Sequence, residues 1–223
     1  ACQQIGQRGA LRRAERGGGG PVLCLLPGSR GGELRRLAEP FREALNLLAA
    51  RLPDLQIVLP AAPGIAAAAA DYAASLPLRT KVIDPRGRSP EAAEREKFLA
   101  MAASDAALAA SGTVSLELAA LGTPQVIGYR LSPLTAAIAR RLLKIETATL
   151  VNLLTDSRVV PEFLQDGLRP SAMADALTSL LTEEAARAAQ LSAFDDALSA
   201  LGRGGPPPSD LAADSVLAAL GRG

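Results

Sequence analysis

Three stretches of this chain group the residue types that phosphate and sugar chemistry needs. In the first, LCLLPGSRGGELRRL from Leu23 to Leu37, an apolar run ends in Gly28-Ser29-Arg30-Gly31-Gly32 and passes straight into a helical pattern. A strand, a turn of small residues and a helix start set backbone N–H groups against an anion, and the helix dipole favours the same charge. Arg30 stands just past the carboxyl end of the apolar run, where a guanidinium can grip a phosphate through two parallel hydrogen bonds. The spacing is not that of a Walker loop, and no lysine follows. A loop arginine that caps the helix or meets a surface acid fits the same pattern.

The second stretch, DAALAASGTVSLELAALGTP from Asp105 to Pro124, repeats that logic with Ser111-Gly112-Thr113 after an apolar run. Gly112 permits close approach of a ligand, and the Ser111 and Thr113 hydroxyls can donate to phosphate. Glu117 falls about one turn into the following helix, where its carboxylate can hold a ribose diol or simply sit well in the helix dipole. The third stretch, ATLVNLLTDSRVVPEFLQDG from Ala148 to Gly167, isolates Asn152 among Leu150, Val151, Leu153 and Leu154. A buried amide needs partners, from backbone or from a ligand. Glu162 and Gln165 fall three apart on a helix expected near 161–166, a spacing that a solvated face explains equally well.

These residues need a scaffold, and the apolar pattern supplies one. Strand-length runs at 22–27, 55–60, 80–84, 106–110 and 123–129 alternate with helical segments, which predicts a mostly parallel sheet with crossover helices. Leu34, Leu37, Phe41, Leu45, Leu48 and Leu52 draw one apolar stripe on a helix, with Pro40 inside it predicting a kink or a short first turn. Ser89-Pro90 and Ser132-Pro133 each read as an N-cap serine followed by proline at the first helical position. Beyond Pro161 the pattern is wholly helical, near 161–166, 170–182, 184–201 and 209–221. Residues 1–20 read as a flexible lead-in, 21–201 as the folded domain, 202–209 as a Gly/Pro linker and 210–223 as a terminal helix. Arg140, Arg141 and Lys144 beside Ile138, Leu142 and Leu143 make a basic amphipathic helix, either a solvated face or a contact for an anionic membrane.

Composition narrows the chemistry further. Lys+Arg of 24 against Asp+Glu of 23 leaves a net charge of +1, which gives no argument for nucleic acid as a partner. Aromatics are 3% of the chain and hydrophobic residues 48%, so the core must be built from Ala, Leu, Val and Ile. The two cysteines, Cys2 and Cys24, form neither a disulfide framework nor a metal spacing, and Cys24 lies in an apolar run as a buried thiol. A reducing cytosol suits this usage, with no signal peptide and no membrane span expected. The chain has no histidine, which removes the commonest general base and metal ligand. Acid–base chemistry must use carboxylates or a group from elsewhere.

In order along Leu23 to Gly167, the stretches LLPGSRGGEL, ASGTVSLELAALGTPQVIGYR, PLTAAIARRLLK, VNLL and VPEFLQ resemble the lipid-A-disaccharide synthase family of bacterial glycosyltransferases. The resemblance implies an α/β fold: a Rossmann-like parallel sheet with flanking helices, the nucleotide-binding half of a GT-B fold, plus carboxyl-terminal helices. It implies transfer of 2,3-diacylglucosamine from its UDP carrier to lipid X, a diacylated glucosamine-1-phosphate, with release of UDP and with no metal or other cofactor. By the same resemblance Arg30 corresponds to the family's essential arginine and Asn152 to its essential asparagine. Gly28, Ser29, Ser111, Gly112, Thr113, Glu117 and Gln165 match positions expected near UDP. The family's acceptor site and catalytic aspartate belong to an amino-terminal half that has no match here, so this chain is expected to bind UDP without transferring sugar. Peripheral contact with the inner membrane of a Gram-negative bacterium and homo-oligomerisation are compatible with the resemblance.

Two other functions fit the broad pattern. A UDP-sugar epimerase shares the fold class but would want acid and histidine residues that are not found. A non-catalytic α/β module that dimerises through its carboxyl-terminal helices would bind no uridine nucleotide at the sheet edge.

Overall fold

The computed structural model describes residues 19–131, 147–205, 213, 216–218 and 221. The expected Ser132-Pro133 cap and the basic helix over 138–144 lie outside the described residues, as do 1–18 and most of the terminal helix expected over 209–221.

Six parallel strands form one sheet: β1 (Val22–Leu26), β2 (Gln56–Pro60), β3 (Thr80–Ile83), β4 (Ala106–Ala110), β5 (Gln125–Tyr129) and β6 (Glu162–Leu164), in the order β3-β2-β1-β4-β5-β6. The helices are α1 (Gly31–Arg51), α2 (Ala66–Ala74), α3 (Pro90–Ala102), α4 (Val114–Ala120), α5 (Leu150–Leu154), α6 (Pro170–Thr182) and α7 (Glu184–Ala200). Side chains alternate across each strand, so one apolar run serves two cores. Leu23 and Leu25 of β1 enter the layer under α1, α2 and α6, where Leu37, Phe41, Leu45, Tyr72 and Leu177 are buried. Cys24 and Leu26 enter the opposite layer with Met101 of α3, Leu118 of α4, Val151 of α5 and Phe194 of α7. Burial pushes the Cys24 thiol well above its ordinary pKa, as expected of an inert core cysteine.

β4 is Ala-Ala-Leu-Ala-Ala and wholly buried. Small side chains at the sheet centre let helices approach closely on both faces. Gly128 of β5 shows the same crowding, since a Cβ there would lie 2.5 Å from Cε1 of Phe41. On the other face, Gln190 of α7 accepts from the Gln125 N–H at 2.8 Å and donates to its carbonyl at 3.0 Å, pinning the helix to β5.

The local signals perform as their physics requires. Leu34, Leu37, Phe41, Leu45 and Leu48 form the buried stripe of α1. The helix runs unbroken through Pro40, so the expected short first turn is not formed. Ser89 Oγ accepts from the Ala92 N–H, with Pro90 opening α3. One expectation fails outright: 161–166 is not a helix. Glu162–Leu164 is the sixth strand, in register with Ile127–Tyr129 of β5, and Gln165–Gly167 is a single 3-10 turn. The three-residue edge strand is too short to show a period of two, and only pairing with β5 makes it one.

Candidate functional site

The strand order reverses between β1 and β4, the place where an open α/β sheet leaves a crevice beyond its strand ends. A cleft of about 610 Å³ opens there. Its walls are the turns after β1 (Gly28, Ser29, Arg30), β2 (Pro60 to Pro63) and β4 (Ser111, Gly112, Thr113), closed by Glu94 and Lys97 of α3 and Glu117 of α4. The structure therefore brings together seven of the residues singled out from the sequence: Gly28, Ser29, Arg30, Ser111, Gly112, Thr113 and Glu117.

The β1 turn is held by an internal anion. Glu33, in the first turn of α1, accepts through Oε2 from the Ser29 N–H at 2.9 Å and the Arg30 N–H at 3.4 Å. Its Oε1 meets Nη1 of Arg30 at 3.3 Å. Gly28 makes this possible, because its φ of +113° suits glycine and a Cβ would lie 2.5 Å from Cβ of Glu33. The Glu33 carboxylate thus occupies donors that the turn would offer to a phosphate. The Arg30 side chain is 82% exposed at the rim of the cleft it lines.

The β4 turn is open. Gly112 has a φ of +154° and nothing within 4 Å of the position a Cβ would take, so a ligand can approach its backbone. Ser111 Oγ donates to the Ala148 carbonyl at 3.1 Å, tying the turn to the segment before α5. Glu117 Oε2 accepts from Nζ of Lys97 at 2.8 Å.

Asn152 and Gln165 do not line the cleft. Asn152 is 1% exposed, and its Nδ2 donates to the Val160 carbonyl and to Glu162 Oε1, both at 2.8 Å. Its Oδ1 accepts from the Val160 N–H at 3.0 Å, so the amide is satisfied within the fold, by backbone and by a carboxylate. Gln165 opens the 3-10 turn after β6 with a φ of +52°.

Glu162 is the residue that sequence reasoning misplaced. Its carboxylate accepts from Oγ1 of Thr147 and of Thr149, from the N–H groups of Ala148 and Thr149, and from Asn152. Burial raises its pKa, but these hydrogen bonds outweigh that and hold it below the ordinary glutamate range. No local signal announces this hub, because its partners lie 10 to 15 residues upstream. Neither Glu33 nor Lys97 was singled out from the sequence; an acid three residues after a helix cap is the signal that marks Glu33, and Lys97 carries no such signal.

Among the described residues no cluster of acids and cysteines could hold a metal ion, and no helix is long and apolar enough to cross a membrane.

The family model described as lipid-A-disaccharide synthetase matches residues 17–203. The lipid-A-disaccharide synthase of Ruegeria pomeroyi is 46% identical over 209 residues, 93% of this chain and 51% of that protein. That of Paramagnetospirillum magneticum is 47% identical over 198 residues, 88% of this chain and 48% of that protein. The chain spans about half the length of these curated relatives. Among solved structures, a putative UDP-N-acetylglucosamine 2-epimerase from Listeria monocytogenes superposes with a TM-score of 0.55 at 15% identity, over 82% of this chain and 43% of that one. An α,α-trehalose 6-phosphate synthase from Burkholderia multivorans does so at 0.50 and 16%, over 92% and 46%. At such identities the likeness is one of fold: this is the Rossmann-like half of a GT-B fold.

Proposed function

The chain belongs to the lipid-A-disaccharide synthase family, and from that premise we propose that it is the donor-binding half of such a glycosyltransferase. The donor is UDP-2,3-diacylglucosamine and the acceptor lipid X. One observation carries the reading: the cleft at the strand-order reversal gathers the β1 turn from one stretch of sequence and the β4 turn with Glu117 from another, about 80 residues on.

In this reading the diphosphate of the donor lies between Gly28-Ser29-Arg30 and Ser111-Gly112-Thr113, and Glu117 accepts from the ribose hydroxyls. Cleavage of the sugar–phosphate bond leaves negative charge on UDP. A guanidinium poised at the cleft rim stabilises that charge as it develops, which is where electrostatic catalysis acts. Arg30 can swing inward because little holds it, whereas Glu33 must give up its N–H partners to an incoming phosphate. Asn152 and Glu162 act from behind, fixing the segment whose Ala148 carbonyl receives Ser111. The carboxylate that activates the acceptor hydroxyl is assigned to the remainder of the longer family protein, as the resemblance implies. Both substrates carry acyl chains, so the reaction is assigned to a membrane surface on the cytoplasmic side.

The test is a calorimetric titration of the chain with UDP, beside Arg30→Ala. Saturable binding that weakens about tenfold or more in the variant supports the reading, given ~1.5–3 kcal/mol for a hydrogen bond to a charged group. A folded chain that ignores millimolar UDP refutes it.

A further inference from the structure

The second cation of the cleft was not among the residues that the sequence singled out. Lys97 lies on α3, and its Nζ crosses to α4 to donate to Glu117 Oε2 at 2.8 Å. The pair is partly sheltered, with side chains 32% and 30% exposed, and Nζ stands 4.5 Å from the centroid of the Phe98 ring. Both members line the cleft. Glu117 Oε1 has no protein hydrogen bond among the described residues, so Lys97 anchors one carboxylate oxygen and leaves the other for a ligand.

A glutamate side chain loses appreciable rotamer freedom when it engages a ligand, and an anchor that removes this freedom beforehand improves recognition. Here the anchor comes from another element, α3, and so ties the carboxylate to a second wall of the cleft. Charge points the same way. The cleft lining carries two cations, Arg30 and Lys97, against three carboxylates, Glu33, Glu94 and Glu117. Lys97 is spent on Glu117 at 2.8 Å, the geometry of a fixed hydrogen bond and not of a cation left free to meet a phosphate.

We propose that Lys97 is a positioning residue of the nucleotide cleft, holding the Glu117 carboxylate where it accepts from the 2′,3′-diol of a nucleoside diphosphate. This rests on the nucleotide reading above. Its signature is the preference for a ribose diol, which a merely structural ion pair would not alter.

Dissociation constants for UDP and 2′,3′-dideoxy-UDP are to be measured by calorimetry on the chain and on Lys97→Met, Lys97→Arg and Glu117→Gln, each checked for an unchanged melting transition. The unsubstituted chain is expected to favour UDP about tenfold. Lys97→Met and Glu117→Gln are both expected to reduce that preference to about threefold or less, while Lys97→Arg keeps most of it. Equal weakening of both nucleotides by Lys97→Met, or none, overturns the assignment while leaving the nucleotide reading intact. Absence of UDP binding by the unsubstituted, folded chain overturns the nucleotide reading itself and the Lys97 assignment with it.

Discussion

The family resemblance implies an essential role for both Arg30 and Asn152, yet their surroundings predict opposite consequences of removal. The Arg30 side chain is 82% exposed and rests on one 3.3 Å contact with Glu33. Arg30→Ala is expected to leave stability within about 0.5 kcal/mol of the parent, as surface substitutions generally do, while UDP affinity falls. Asn152 is enclosed, and its loss would orphan Val160 and take one donor from Glu162. Asn152→Ala is expected to cost about 1–3 kcal/mol, a fall of roughly 2–12 °C in melting temperature for a chain of this size. Glu33 predicts a third outcome. Its carboxylate sits on the Ser29 and Arg30 N–H groups, so Glu33→Gln removes a charge that competes with phosphate. Calorimetry is expected to show severalfold tighter UDP binding together with a small loss of stability from the weakened cap, about 0.5–1 kcal/mol.

At the scale of elements, β5 and β6 set the tolerances of the sheet's far side. A Cβ at Gly128 would press on Phe41 at 2.5 Å and on Leu168 at 3.0 Å, and neither a core ring nor its neighbours can move far. Gly128→Ala is expected to destabilise the fold by about 1–3 kcal/mol in denaturant unfolding, the range for overpacked cores. β6 depends on an ionised Glu162, whose folded-state pKa lies below its unfolded value. Such a group contributes stability that is fully present above the unfolded pKa, about 4.3 for glutamate, and is lost as pH falls through the depressed folded pKa. Glu162→Gln is therefore expected to flatten the acid limb of a stability–pH profile. An unchanged limb would place the acid sensitivity elsewhere. The same element shows where sequence legibility ended. The strands at 22–26, 56–60, 80–83, 106–110 and 125–129 are visible because they are apolar on one or both faces. Glu-Phe-Leu carries a charge and spans three residues, and it reads as the start of a helix until β5 pairs with it.

For the molecule as a whole, the donor-half proposal makes the cleft one wall of a larger site. The chain covers about half of its curated relatives. With UDP-diacylglucosamine and lipid X supplied, it is expected to bind the donor and release no UDP above the uncatalysed rate, as followed by a coupled UDP assay. Turnover by this chain alone would overturn the donor-half proposal.

The apolar periodicity, the small-residue turns and the absence of histidine are local or compositional, and by themselves they determined the parallel sheet, the two small-residue turns at its strand ends and the absence of histidine chemistry from this chain. Long-range pairing decided the rest. Whether Asn152 faces a ligand or a carboxylate, whether Glu162 lies on a helix or an edge strand, and which cation meets Glu117 all depend on groups brought together by the strand order. A buried polar group takes whatever partner the fold delivers, and the local sequence around Asn152, Glu162 or Glu117 does not carry that partner's address.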